Sequence, residues 1–163
     1  MGAARVMPAD QLPLPPPLPP AAAQLLDQAH RALAEAAACT DDPRRRYATA
    51  HLGALRGAAA VLAARTRPET GRRRPRSAWV LLERIAPELG EWATFFAAGA
   101  AKRAAAEAGL SHAVTEREAD DLVRDVGAFL SVVEHCLAAP APVAAEPTRS
   151  PFTRPRVASR PRR

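Results

Sequence analysis

Apolar residues along this chain recur every three or four positions and nowhere alternate over a useful length. That is the period of helices buried along one side. The first stripe is Leu25, Leu26, Ala29, Leu33 and Ala36, which predicts a helix over 21–38, with His30 off the stripe and solvated. Asp42 followed by Pro43 is a helix start, because Asp accepts from free first-turn amides and Pro is tolerated at the first helical position. The second helix then runs over 43–65, with Tyr47, His51, Leu55, Ala58 and Leu62 inward. Gly53 and Gly57 weaken it and leave room for a neighbour's backbone. Ser77 caps a short helix reaching Ile85, with Trp79, Leu82 and Ile85 inward. Pro87 opens a further rod over 88–108, with Leu89, Trp92, Phe95, Phe96 and Ala100 on its inner side and Gly109 as terminator. The pattern leaves open whether 78–108 is two helices or one kinked helix. Thr115 and Glu118 have the spacing of a capping box. The last helix, 116–138, shows the clearest stripe: Ala119, Leu122, Val126, Phe129, Leu130, Val133 and Leu137.

The flanks break the period. Residues 1–20 contain PLPPPLPP and read as an extended Pro-rich leader, and residues 140–163 read as a disordered Pro/Arg-rich tail. Between them, 21–139 is expected to be an all-α domain, an antiparallel bundle of four long helices and one short one. Composition sharpens this picture. Aromatics are 4% of 163 residues and alanine is abundant, so the helices must meet through close alanine contacts with a few large pieces between them.

Charge is uneven. The net is +6, of which the tail alone carries six Arg against one Glu. Inside the domain the densest positive stretch is RTRPETGRRRPRS, 65–77, where two prolines and a glycine also stop any helix. Free amides at the Ser77 helix start, beside Arg72, Arg73, Arg74 and Arg76, suit a phosphate of RNA or a nucleotide. The plain alternative is a solvated connector, and for the tail a solubilising one. Cys39 and Cys136 make no disulfide framework and read as free thiols near helix ends. No stretch is apolar for the roughly 18 residues a membrane span needs, and no secretory signal stands at the start, so a cytoplasmic location is expected. His30, His51, His112 and His135 lack partners at metal-ligand spacing, and no phosphate loop or nucleophile elbow occurs, so neither metal nor cofactor is expected.

Three ordered blocks carry a resemblance: YATAHLGALRGAAAVLAAR at 47–65, RPRSAWVLLERIAPELGEWATFFAAGAAKRAAAEAG at 74–109 and TEREADDLVRDVGAFLSVVEH at 115–135. Together they resemble the actinobacterial branch of the HEPN superfamily, the higher-eukaryote and prokaryote nucleotide-binding helical domains. The resemblance implies an up-and-down bundle that is often dimeric. It also implies one of two activities. Some members are metal-independent ribonucleases that bring an Arg, four to six residues, then a His together across two protomers. Others have lost that motif and bind RNA, nucleotides or partner proteins. Arg46 and His51 satisfy the spacing. They lie in the second helix, whereas the ribonuclease motif lies near the start of a late helix, and Arg124 and His135 in the last helix are eleven apart. Chemically the pair is apt, since His moves a proton near neutral pH and Arg stabilises charge on phosphorus. Five residues of helix nonetheless turn the two side chains about 140° apart, so they would have to meet across a dimer. The alternative for His51 is a ring in the bundle core.

Three readings follow. The first is a non-catalytic binding module that contacts RNA or a nucleotide through the arginine-rich face. The second is a ribonuclease using Arg46 and His51 across a homodimer. The third is a structural or partner-binding bundle with no nucleic-acid role.

Overall fold

The computed structural model describes residues 17–66 and 77–139. Five helices follow in order: α1 (Pro20–Ala38), α2 (Pro43–Arg65), α3 (Ala78–Ile85), α4 (Gly90–Glu107) and α5 (Glu116–Ala138). A single 3-10 turn, Pro87–Leu89, separates α3 from α4, so 78–108 is two helices. There are no strands among the described residues. The boundaries follow the expected signals. The Asp42 carboxylate accepts from the amides of Arg44 and Arg45 at 3.0 and 3.2 Å. Ser77 accepts from Trp79. Thr115 and Glu118 close their capping box in both directions. Gly109 ends α4 at φ +73°, a left-handed conformation that glycine adopts without a side-chain clash.

Successive long helices run antiparallel. Arg45 meets Glu35, and Arg56 meets the carbonyl of Gln28, across α1 and α2. Lys102 meets Glu118 across α4 and α5. The helix at the centre is α2, which packs on all four others, and no residue of it from Arg46 to Arg65 is fully exposed. This changes its expected inner face. Leu55 and Leu62 are only half-buried, while Ala50, Gly53, Ala54, Gly57, Ala58, Ala60 and Val61 are sealed. A helix small all round serves as a hub, because each neighbour needs a smooth flank to approach.

The α1 side shows how close that approach is. A methyl at Gly53 would stand 3.2 Å from the carbonyl oxygen of Ala29 and 3.5 Å from the Cβ of Ala32. Accordingly the deepest residues of α1 are Ala22, Ala29, Ala32 and Ala36, with Leu25, Leu26 and Leu33 flanking the seam half-buried.

On the opposite flank the core is aromatic. Trp79, Trp92, Phe96 and Phe129 form one stack, with Phe96 centred 5.2 Å from Trp79 and 5.1 Å from Phe129. Three residues expected inward point out instead. Ile85 is 36% exposed, Phe95 is 46% exposed and Ala100 is exposed. Adjacent residues on a helix are about 100° apart, so Phe95 and Phe96 cannot both enter a core that α4 touches along one side. The α5 stripe is buried from Ala119 to Val133 as its period predicts, and Leu137 is half-buried.

His30, expected in solvent, instead bridges α1 to α5, its Nε2 lying 2.8 Å from Glu134. Cys39 and Cys136 are free thiols, each half-buried, and burial pushes the Cys136 thiol above its ordinary value.

Candidate functional site

Of the residues singled out by sequence, Arg46 and His51 are described in full, and they face different surroundings. Arg46 sits near the start of α2 and pairs with Asp120 of α5 at 3.0 Å, its side chain 19% exposed. His51, one and a half turns further on, is 1% exposed. Its ring meets Trp79 and Phe96 edge-on, at 5.9 Å from each. Its Nε2 lies 2.9 Å from the carbonyl oxygen of Phe96. A carbonyl only accepts, so Nε2 carries the proton and Nδ1 is the bare nitrogen, buried without a partner. Burial holds the imidazole below its ordinary pKa, against the opposing pull of the Phe96 hydrogen bond. A neutral ring results. Arg46 acts as a strut between helices and His51 as a clamp on α4, and within one chain they converge on no shared opening.

The second candidate set is split. Ser77 is described, and its hydroxyl oxygen is already engaged by the Trp79 amide at 3.3 Å. Arg72, Arg73, Arg74 and Arg76 lie outside the described residues.

The described helices nevertheless bear on where positive charge is available. Residues 17–66 and 77–139 together carry eleven Arg and Lys against fourteen Asp and Glu, a net of −3. The excess positive charge of the whole chain therefore belongs to residues 67–76 and 140–163. Helix cations are also engaged: Arg45 by Glu35, Arg46 by Asp120, Arg65 by Glu88, Lys102 by Glu118, Arg103 by Glu107 and Arg124 by Asp121. The described helices present no broad free basic face.

What the helices do present is a groove of about 560 Å³ where α4 and α5 stand apart over α2. Its α4 wall is Thr94, Phe95, Ala98 and Gly99, one side of a helix at three-to-five spacing. Its α5 wall is Glu118, Asp121, Leu122 and Asp125, again one side. At the back are His51 and Tyr47. A methyl at Gly99 would stand 3.1 Å from the Tyr47 hydroxyl and 3.5 Å from the ring of His51, so the missing side chain is what opens the floor. Tyr47 is 7% exposed, and its hydroxyl has no hydrogen-bond partner among the described residues. Burial, the largest cause, raises its pKa; Lys102 opposes this and Glu118 adds to it. Glu118 is held well down, at about 2, first by Lys102 and then by the amide and hydroxyl of Thr115.

Sequence reasoning missed this groove. A signal was present, since acids at 118, 121 and 125 share a stripe with Leu122, and Phe95 stands beside Phe96. Reading it required knowing that α4 and α5 splay.

A family model for the SAV_6107-like HEPN domains matches residues 36–134. The chain belongs to that family. The match spans α2 through most of α5, so the hub helix, the aromatic stack and the groove are all parts of the HEPN domain. No curated protein and no solved structure matches the chain. Among the described residues, no group of three or more His, Cys, Asp or Glu is placed to hold a metal, and no helix is long and apolar enough to cross a membrane.

Proposed function

We propose that this HEPN domain is a binding module without ribonuclease chemistry, and that its contact with RNA or a nucleotide runs through Arg72, Arg73, Arg74 and Arg76 beside the Ser77 helix start. The observation that carries the reading is the partition of charge. The described residues are net −3 with most of their cations held by carboxylates, so a phosphate backbone finds its partners in the arginine-rich connection between α2 and α3. Ser77 keeps its hydroxyl proton available, because its oxygen serves the Trp79 amide as acceptor. Two features speak against catalysis by Arg46 and His51. The imidazole is 1% exposed, and the guanidinium is committed to Asp120.

The test is binding of single-stranded RNA to the full chain at several salt concentrations. Replacing Arg72, Arg73, Arg74 and Arg76 by Gln should weaken binding and lower the slope of log affinity against log salt by about 3. Replacing the six tail arginines by Gln instead should leave most of the binding in place. The opposite outcome would move the contact to the tail and reject this reading. RNA cleavage by the purified chain that disappears in His51→Ala would reject the non-catalytic part.

The reading of a partner-binding bundle with no nucleic-acid role is favoured by one observation, the acidic groove, which repels phosphate and suits a basic polypeptide.

A further inference from the structure

The α4–α5 groove has three properties that together define an occupant. Its floor is apolar, with Phe95 46% exposed beside Leu122. Its rim is acidic: three carboxylates, Glu118, Asp121 and Asp125, face one ammonium, Lys102, which is already spent on Glu118. Its back wall holds a hydroxyl, that of Tyr47, a residue 7% exposed whose oxygen borders the groove. A hydroxyl at the wall of a groove can both donate to and accept from an incoming polar group.

Asp125 has no ion-pair partner among the described residues. Asp121 has two, Arg117 and Arg124, whose side chains are 91% and 73% exposed. Such solvated pairs are worth little and exchange readily for an incoming guanidinium. An occupant therefore carries arginines, a large apolar side chain and a free peptide group.

Residues 17–66 and 77–139 cannot supply this to a second copy of themselves, since together they are net −3. The connection 67–76 has arginines but no apolar side chain larger than proline, and residues 1–16 have one Arg against one Asp. The C-terminal segment fits. It reads TRSPFTRPR over 148–156, with Phe152 between Arg149 and Arg154. Six of the chain's seven aromatic residues, Tyr47, Trp79, Trp92, Phe95, Phe96 and Phe129, gather around the core and this groove, and Phe152 is the seventh. Reach is sufficient. From Ala139 back to Leu122 is roughly 26 Å of helix, while thirteen Pro-rich residues from Ala139 to Phe152 span about 40 Å when extended.

We propose that the groove between α4 and α5 seats the C-terminal segment of the same molecule, with Phe152 on the Phe95–Leu122 floor, flanking arginines on Asp121 and Asp125, and a peptide group on the Tyr47 hydroxyl. The segment runs back along α5 and covers the apolar strip that α4 leaves open. This assignment is independent of any role for residues 72–76.

The experiment places the photoreactive residue p-benzoylphenylalanine at position 152 of the full chain and maps the cross-links by mass spectrometry. A mixture of isotopically light and heavy protein separates bonds within a molecule from bonds between molecules. The expected result is cross-linking within one molecule, confined to residues 94–99 and 118–125. The yield should fall about fivefold in Asp121→Asn with Asp125→Asn, the loss of two solvent-accessible ion pairs, and fall further at high salt. Arg149→Gln with Arg154→Gln should lower it equally and leave the bundle folded, since neither residue belongs to the described helices. Cross-links scattered over the surface, products joining light to heavy protein, or a yield indifferent to both charge variants would each overturn the proposal.

Discussion

The two long-helix contacts at opposite flanks of α2 are built on different economies of space. Between α1 and α2 the residues are Ala22, Ala29, Ala32 and Ala36 against Gly53 and its neighbours, and the backbones nearly touch. Between α4 and α5 the residues are rings and acids, and a groove of about 560 Å³ remains. Small side chains let helices close on each other and leave nothing to bind with. Large ones hold helices apart, and whatever lies in the gap becomes surface with a chemistry of its own. The same device, a glycine facing a neighbouring helix, has opposite meanings in the two places. Gly53 permits contact, whereas Gly99 permits a vacancy.

Substituting alanine at each glycine therefore breaks the comparison most directly. At Gly57 a Cβ would lie 2.6 Å from a methyl of Leu130, itself 1% exposed, and 3.3 Å from Phe129. At Gly53 it would lie 3.2 Å from a backbone carbonyl of α1, which cannot yield unless the helices part. Gly57→Ala should destabilise by about 2 kcal/mol and Gly53→Ala by about 1 kcal/mol, both net of the helix propensity that alanine adds. Gly99→Ala meets the Tyr47 hydroxyl at 3.1 Å, but that group borders the groove and has room to give. Its stability should change by less than about 0.5 kcal/mol, the small crowding offset by propensity. Urea unfolding of the three variants checks the order. Equal losses at all three would remove the distinction between seam and groove.

The next effect is at His51, which belongs to both regions because it reaches from α2 to the carbonyl of Phe96 on α4. Its pKa is lowered in the folded chain, chiefly by burial. The unfolded chain then binds the proton more readily, so folding loses stability as pH drops below the ordinary value of 6.5. For one proton the limit is about 1.4 kcal/mol per pH unit. His51→Phe keeps a ring against Trp79 and Phe96 and cannot take the proton. Its stability between about pH 7 and about pH 5 should be flatter than that of the parent by roughly 1 kcal/mol. Parallel curves for the two chains would mean that His51 does not stay neutral in the core.

Much of this is legible in the sequence. Asp42, Ser77 and Thr115 announce three helix starts through their own side chains, and caps are local chemistry that tertiary packing does not override. The α5 stripe was legible because α5 is buried on one side only, which is the situation a period of 3.6 encodes. On α2 the same period points to Leu55 and Leu62 and passes over Ala54 and Val61, because a helix enclosed by four neighbours has no single inner face. Phe95 falls at helical spacing from Trp92, yet it points about 100° away from its buried neighbour Phe96 and so faces out. Arg46 and His51 carried the right spacing for a motif, yet spacing does not say which side chain faces solvent. The groove lay beyond reach for the same reason. It is made by the distance between two helices, and no single helix's pattern contains that distance.

The smallest effect concerns what holds the groove's mouth. Lys102 and Glu118 form the ion pair that ties α4 to α5 among the described residues. Glu118 serves twice, since its other oxygen accepts from the Thr115 amide at 2.9 Å and closes the cap of α5. Its carboxyl sits at about 2 instead of 4.5, with Lys102 the largest cause. A carboxyl depressed in this way contributes stability above about pH 4.5, and loses it as pH falls toward 2. The pair is more than a third exposed on both sides, so solvent screens most of its Coulomb part and the cap is the larger share. Thr115→Ala should therefore cost about 1 kcal/mol near neutral pH, and Glu118→Gln about half as much, because glutamine still accepts from the Thr115 amide. Below pH 4.5 the gap between the parent and Glu118→Gln should close, while the gap to Thr115→Ala persists in part through the hydroxyl that caps the Glu118 amide. A Glu118→Gln variant that stays equally destabilised down to pH 2 would mean that the charge is irrelevant and that α4 and α5 are held at their spacing by the aromatic stack alone.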